Sequence, residues 1–203
     1  MLFLSVFYTD IFCQNANHKN GAYRNHLDFQ NNRPLTESNF RFIQKDNLRV
    51  PKLYHVISKD GSVKTKTIKK IIWGIYYNGS FFLNVEKLGM VNGYIKFDSL
   101  TKYCYFKGKP IMTLGQEERL NRSSRDFGLT GAVVTGTRIH IENKEDLHYV
   151  LNVQTGMINL LTKNYILRIL EPYNELLMYF DFEKDNSSIE VLLKYLDLIN
   201  KME

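Results

Sequence analysis

At 203 residues the chain suits one domain, or one domain with a small appendage. An apolar fraction of 44% with 13 Tyr and 13 Phe supplies a core biased towards sheet, and four Pro and 12 Gly are too few for a long disordered tract. No window approaches the roughly 18–20 continuous apolar residues of a membrane-spanning helix, a net charge of +6 is modest enough that no nucleic-acid partner is expected, and two cysteines, Cys13 and Cys104, exclude a disulfide framework.

The first stretch, MLFLSVFYTDIFCQN, has an apolar run from Leu2 to Tyr8 interrupted by Asp10. It has the form of a short hydrophobic region of a secretory signal, with Cys13 as a small residue before a cut. The basic head of such a signal is missing, because no Lys or Arg precedes Lys19. A lipidated Cys13 is disfavoured, since Ile11-Phe12 are not small. A buried first strand is the alternative, because Phe, Val and Tyr favour sheet. Residues 1–13 are read as the tail end of a removable export signal, and residues 14–203 as a single α+β domain.

Residues 14–52 are polar and irregular, with a helical turn from about Arg24 to Gln30, a stop at Asn31-Asn32-Arg33-Pro34 and a brief strand around Phe40 and Phe42. Residues 53–107 predict an antiparallel meander. LYHVIS and SVKTKTI read as strands joined by an Asp60-Gly61 turn. Asn78-Gly79 between two apolar runs is a hairpin signal, because a type I′ turn needs positive φ at both central positions. A two-residue loop pairs Tyr77 with Ser80, Tyr76 with Phe81 and Ile75 with Phe82. Alternation then puts Ile72, Tyr76, Phe81, Leu83 and Val85 on one face and Trp73, Ile75, Tyr77, Phe82 and Asn84 on the other. Aromatics on both faces predict that both are covered. GYIKFDS and KYCYFKG extend the meander through a tight turn at Asp98 to Thr101.

Residues 108–138 form a second irregular region, with a charged QEERLNRSSRD and a small-residue GLTGAVVTG. Residues 139–161 read as strands with Thr155-Gly156 in a turn. Residues 162–203 are helical. Thr162 caps the first helix, Pro172 opens the second, and Ser187 with Glu190 forms a capping box for the third, whose stripe is Ile189, Leu192, Leu193, Leu196 and Ile199. The fold class is α+β: an antiparallel β-meander sheet with C-terminal helices packed on it.

Candidate chemistry is sparse. Asp126-Phe127-Gly128 looks like the metal-binding tripeptide of protein kinases, but no catalytic loop, Gly-rich phosphate loop or VAIK-type strand accompanies it. Gly128, Gly131 and Gly136 match neither a phosphate loop nor a dinucleotide fingerprint, and predict close packing. His140, Glu142, Glu145, Asp146 and His148 cluster, with His140 and Glu142 on one face of a strand, yet the spacing specifies no metal geometry. Cys104 between two tyrosines reads as a buried small hydrophobe. Lys64, Lys66, Lys69 and Lys70 can contact phosphate groups or guard a strand edge, and alternation sets Lys64, Lys66 and Lys70 on one side. Asn-x-Ser sites at Asn78, Asn121 and Asn186 matter only in a eukaryotic secretory pathway.

GAYRNHLDFQNNRP resembles an N-terminal hallmark of a family of uncharacterised exported proteins from flavobacteria and relatives, carried here by Gly21, Tyr23, Asp28, Phe29, Asn32 and Pro34. IIWGIYYNGSFFLNV, GYIKF with YCYFKG, YVLNVQTGMINLL, ILEPYNELLMYF and LLKYLDLIN are similar to its later segments in order. The resemblance implies export to the periplasm or outer envelope of a Gram-negative bacterium. It implies no known activity or cofactor, and so assigns no catalytic, cofactor-binding or metal residues. The expected function is non-catalytic binding or scaffolding, with an envelope protein or an anionic surface as partner. Two alternatives stand beside it. One is a small envelope hydrolase or metal-dependent enzyme using His140, Glu142 and His148. The other is an anionic-surface binder using Lys64, Lys66, Lys69 and Lys70.

Overall fold

A computed structural model describes residues 18–45, 52–86, 93–108 and 147–202. Residues 1–13, expected as an export signal, residues 109–138, expected as irregular, and the first strand expected within 139–161 lie outside these residues.

The larger sheet is antiparallel and six-stranded, in the order β1 (Gly21–Tyr23), β4 (Gly74–Tyr77), β5 (Ser80–Asn84), β6 (Tyr94–Phe97), β3 (Leu53–Ser58), β2 (Phe40–Gln44). A second sheet runs β7 (Tyr103–Gly108), β8 (Leu147–Asn152), β9 (Ile158–Leu160). Helices α1 (His26–Gln30) and α2 (Thr65–Lys70) flank the larger sheet. Helices α3 (Lys163–Leu170), α4 (Asn174–Asp181) and α5 (Ile189–Met202) follow the second.

The hairpin β4–β5 has the expected register, with Tyr77 opposite Ser80, Tyr76 opposite Phe81 and Ile75 opposite Phe82. Asn78 at φ 48 and Gly79 at φ 80 supply the two positive dihedrals of the turn. Both faces are covered. On one, Tyr23, Phe29, Phe81, Leu83, Val85, Ile95 and Phe97 pack against Cys104, Phe106, Tyr149 and Leu151 of the second sheet. On the other, Ile75, Phe82, Val56 and Tyr94 pack beneath Ile68 and Ile72 of the α2 segment. The outward residues of the second sheet, Tyr103 and Val150, meet the C-terminal helices at Ile166, Leu170, Leu196 and Ile199. Alternation along β7 and β8 therefore binds two cores with one sheet, and the layers stack helix, sheet, sheet, helices.

Five expectations are corrected. KTKTIKK is a helix, because Ile68 and Ile72, four apart, both point into the core. That turn also exchanges the two residues before β4: Ile72 joins the α2 face and Trp73 packs with Phe29 and Phe81. The meander is limited to β4–β5–β6, since β6 pairs on its far side with β3 (Leu53 opposite Ile95) while β7 pairs with β8 (Cys104 opposite Leu151). The cap of α5 is Ser188: its carbonyl accepts from Leu192 N at 3.0 Å and its hydroxyl from Val191 N at 3.4 Å. Pro172 likewise precedes the Tyr173 cap of α4 rather than opening the helix. Thr162 does cap α3, accepting from Tyr165 N.

Candidate functional site

Gly21, Tyr23, Asp28, Phe29, Asn32 and Pro34 lie together in a structural knot. Gly21 is pressed so closely that a Cβ there would lie 2.6 Å from both Pro34 Cβ and the Thr36 carbonyl. Tyr23 is fully buried, and its hydroxyl donates to Lys19 O at 2.6 Å and approaches Asn32 Oδ1 at 3.3 Å. Burial, then the Glu37 carboxylate and Tyr76, push this phenol up to about 12. Asn32, at φ 52, also accepts the Lys19 amide at 2.7 Å. Asp28 pairs with exposed Arg24 at 3.5 Å. Phe29 sits at the centre of an aromatic cluster, stacked on His18 at 3.9 Å. These residues organise the chain; they do not converge on a reacting group.

Burial of His18 pulls its imidazole below 6.5, against a smaller opposing contribution from the Phe29 backbone. The unfolded chain then binds more protons than the folded one just below pH 6.5, so stability should fall as pH drops through that value. His55 shifts the same way, through burial and then the Lys45 and Lys69 charges. Urea midpoints measured at pH 7.5 and 5.5 should drop less for His18→Phe, which keeps the stacked ring, than for the parent. An equal drop would remove His18 from this account.

Of the proposed acid–base neighbourhood, His140 and Glu142 lie outside the described residues. His148 stands on β8, opposite Lys107. Its Nδ1 lies 2.7 Å from the Tyr105 hydroxyl, and the two rings stack at 5.7 Å. Asp126, Phe127, Gly128, Gly131, Gly136, Glu145 and Asp146 also lie outside. Among the described residues no group of three or more His, Cys, Asp or Glu is placed to hold a metal ion. Cys104 is buried against the inter-sheet core, and burial pushes its thiol up, outweighing contacts with Thr101.

The lysines Lys64, Lys66, Lys69 and Lys70 sit on α2 and its cap instead of a strand. Lys64, Lys66 and Lys70 are exposed and Lys69 is half-buried. The helix is anchored from below by Asn84, whose Nδ2 donates to Lys69 O at 2.9 Å and Ile72 O at 2.7 Å. Tyr94 adds a hydroxyl bond to Ile68 O.

Two surface features escape the sequence reading. One is a polar cleft of about 650 Å³ at the tip of the β4–β5 hairpin, lined by Lys19, Asn20, Glu37, Asn39, Tyr77 and Asn78. The other is a groove of about 400 Å³ between α4 and α5, where Leu176, Tyr179, Phe182 and Leu198 meet the Glu183–Lys194 ion pair and Tyr195. Phe182, just past α4, is 82% exposed and Tyr179 is 53% exposed. The sequence signal for the groove was present: Tyr179 and Phe182 are large, three apart, and off the buried side of α4, whose fully buried residue is Phe180. The cleft had no local signal, because its residues come from three separate segments.

Among the described residues no helix is long and apolar enough to cross a membrane. No curated protein and no solved structure matches the chain. A family model does match, across residues 21–203, and the chain belongs to that family of unknown function, DUF6563.

Proposed function

We propose that this is an exported protein of the bacterial envelope that acts by binding, docking a basic amphipathic segment of a partner protein in the α4–α5 groove. The observation that carries the reading is the exposure of Phe182 and Tyr179 beside an apolar floor of Leu176 and Leu198. Large aromatics left in water at the edge of a groove are the anchors that helix-in-groove recognition uses. Charge selects the partner. Residues 171–203 hold eight acidic side chains and three basic ones, although the whole chain is +6. A basic segment complements that helical end. Export is supported by the hallmark resemblance beginning at Gly21 and by the apolar run Leu2 to Tyr8 before it.

The binding half is tested with two synthetic amphipathic helices of about 18 residues, ~27 Å long, sharing one leucine stripe, with Lys on the polar face of one and Glu on that of the other. The Lys peptide should bind and weaken with salt. The double variant Tyr179→Ser with Phe182→Ser should weaken it roughly tenfold or more, with unchanged circular dichroism. Equal binding of both peptides, or undiminished binding by the double variant, would sink the groove. Location is tested separately by fractionation and mass spectrometry of the native N-terminus. An intact Met1 in the cytosolic fraction overturns export.

A further inference from the structure

We propose that the polar cleft at the β4–β5 tip is a carbohydrate-binding site that takes neutral pyranose chains. Asn20, Asn39 and Asn78 bring three side-chain amides to one cleft with Glu37, Lys19 and Tyr77. A side-chain amide carries a donor and an acceptor side by side. A sugar hydroxyl is itself both donor and acceptor, so this is the lining that a row of hydroxyls satisfies. The single carboxylate and the single ammonium cancel, which favours neither a phosphate nor a polyamine. Tyr77 brings an aromatic ring to the lining, the group that suits the apolar C–H side of a pyranose.

The cleft is built in advance. Phe42 braces the Tyr77 ring at 5.5 Å. The Asn78 backbone N–H donates to Asn20 Oδ1 at 2.9 Å, which ties the Asn20 side chain to the hairpin turn. The turn carrying Asn78 is fixed by its left-handed dihedrals. The Lys19 backbone is held at both ends, its N–H donating to Asn32 Oδ1 and its carbonyl accepting from the Tyr23 hydroxyl. The Glu37–Asn39 segment is pinned at both ends: Ala22 N donates to Thr36 O at 2.9 Å and Lys59 N to Asn39 O at 2.9 Å. Three segments from three places in the chain are thus locked around one polar concavity, which keeps the ordering cost of binding low. A volume of about 650 Å³ falls within the usual range for small-ligand sites. The site is independent of the α4–α5 groove.

Titration calorimetry with two uncharged probes tests it: cellotetraose, bearing hydroxyls only, and chitotetraose, bearing acetamido groups. Binding of at least one at millimolar or tighter Kd is expected, and the preference tells hydroxyl-only from acetamido sugars. Tyr77→Ala and Asn39→Ala should each weaken it roughly tenfold, ~1.4 kcal/mol, while Tyr77→Phe, which keeps the ring, stays close to the parent. Tyr179→Ser with Phe182→Ser should leave it unchanged. Failure of both saccharides to bind at millimolar concentration, displacement of the bound saccharide by equimolar inorganic phosphate, or binding indifferent to both Tyr77→Ala and Asn39→Ala would overturn the proposal.

Discussion

Phe29→Ala should cost about 3–5 kcal/mol of folding stability, the range for emptying a fully buried aromatic site. Phe29 is 0% exposed. Its ring stacks on His18 at 3.9 Å, meets Phe81 at 4.9 Å and Tyr23 edge-on at 5.1 Å, and tilts against Trp73 at 5.9 Å. Removing it opens a void where α1, β1, β4 and β5 converge, and rings held by one another cannot all collapse inward. Two neighbours on the same helix give the contrast. Leu27 is 69% exposed, and Asp28 makes only a partly exposed ion pair with Arg24, so Leu27→Ala and Asp28→Ala should each cost about 1 kcal/mol or less. Urea unfolding of the three variants decides the matter. A Phe29→Ala loss no greater than that of Leu27→Ala would mean the aromatic knot does not hold the fold.

Asn84→Leu should cost about 2–4 kcal/mol, because it strands several acceptors at once. Asn84 is the one buried polar side chain of the described core, at 1% exposure. Its Nδ2 serves the carbonyls of Lys69 and Ile72 and lies 3.4 Å from that of Ile68, while its Oδ1 accepts the Glu86 amide at 3.1 Å. The Ile68 and Lys69 carbonyls belong to the last turn of α2 and that of Ile72 lies just past its cap, where a helix has no partners of its own. Leucine matches the volume but satisfies none of them. The loss should be local as well as global: amide exchange in α2 should accelerate more than exchange in β8. Uniform acceleration through both elements would show that Asn84 stabilises the fold generally, without anchoring α2 in particular.

The contrast between these two sites explains what was readable in the sequence. The β4–β5 register followed from Asn78-Gly79, because a two-residue turn with two positive dihedrals leaves one way to pair the strands. The antiparallel sheet and the helical tail followed from alternation and from the 3.6-residue spacing of leucines. α2 did not, because Lys and Thr alternate through KTKT and Thr favours strands; the deciding fact, Ile68 and Ile72 packing over Phe82 and Tyr94, is tertiary. The split between β6 and β7 was hidden for a related reason. A short turn at Asp98 to Thr101 serves equally to return a strand within one sheet or to carry it into another. Only the arrival of β8, with Leu147 opposite Gly108 and Asn152 opposite Tyr103, chooses. The polar cleft depends on Lys19, Glu37 and Tyr77 meeting from far apart in the chain, which no local pattern encodes.

One contact carries a consequence for how the chain reaches this state. His26 Nε2 donates to the Val153 carbonyl at 2.8 Å across 127 residues, and Gln30 Nε2 donates to the same oxygen at 2.7 Å across 123. The earliest described helix is therefore completed by a turn that leaves the ribosome among the later parts of the chain. Nearly the whole loop must close before α1 gains its polar partners, and such closure entropy is paid ahead of its reward. A nascent chain lacking the β8–β9 turn should therefore hold α1 through the Phe29 cluster and the Asn25 cap, and gain the His26 and Gln30 bonds only once Val153 has been made.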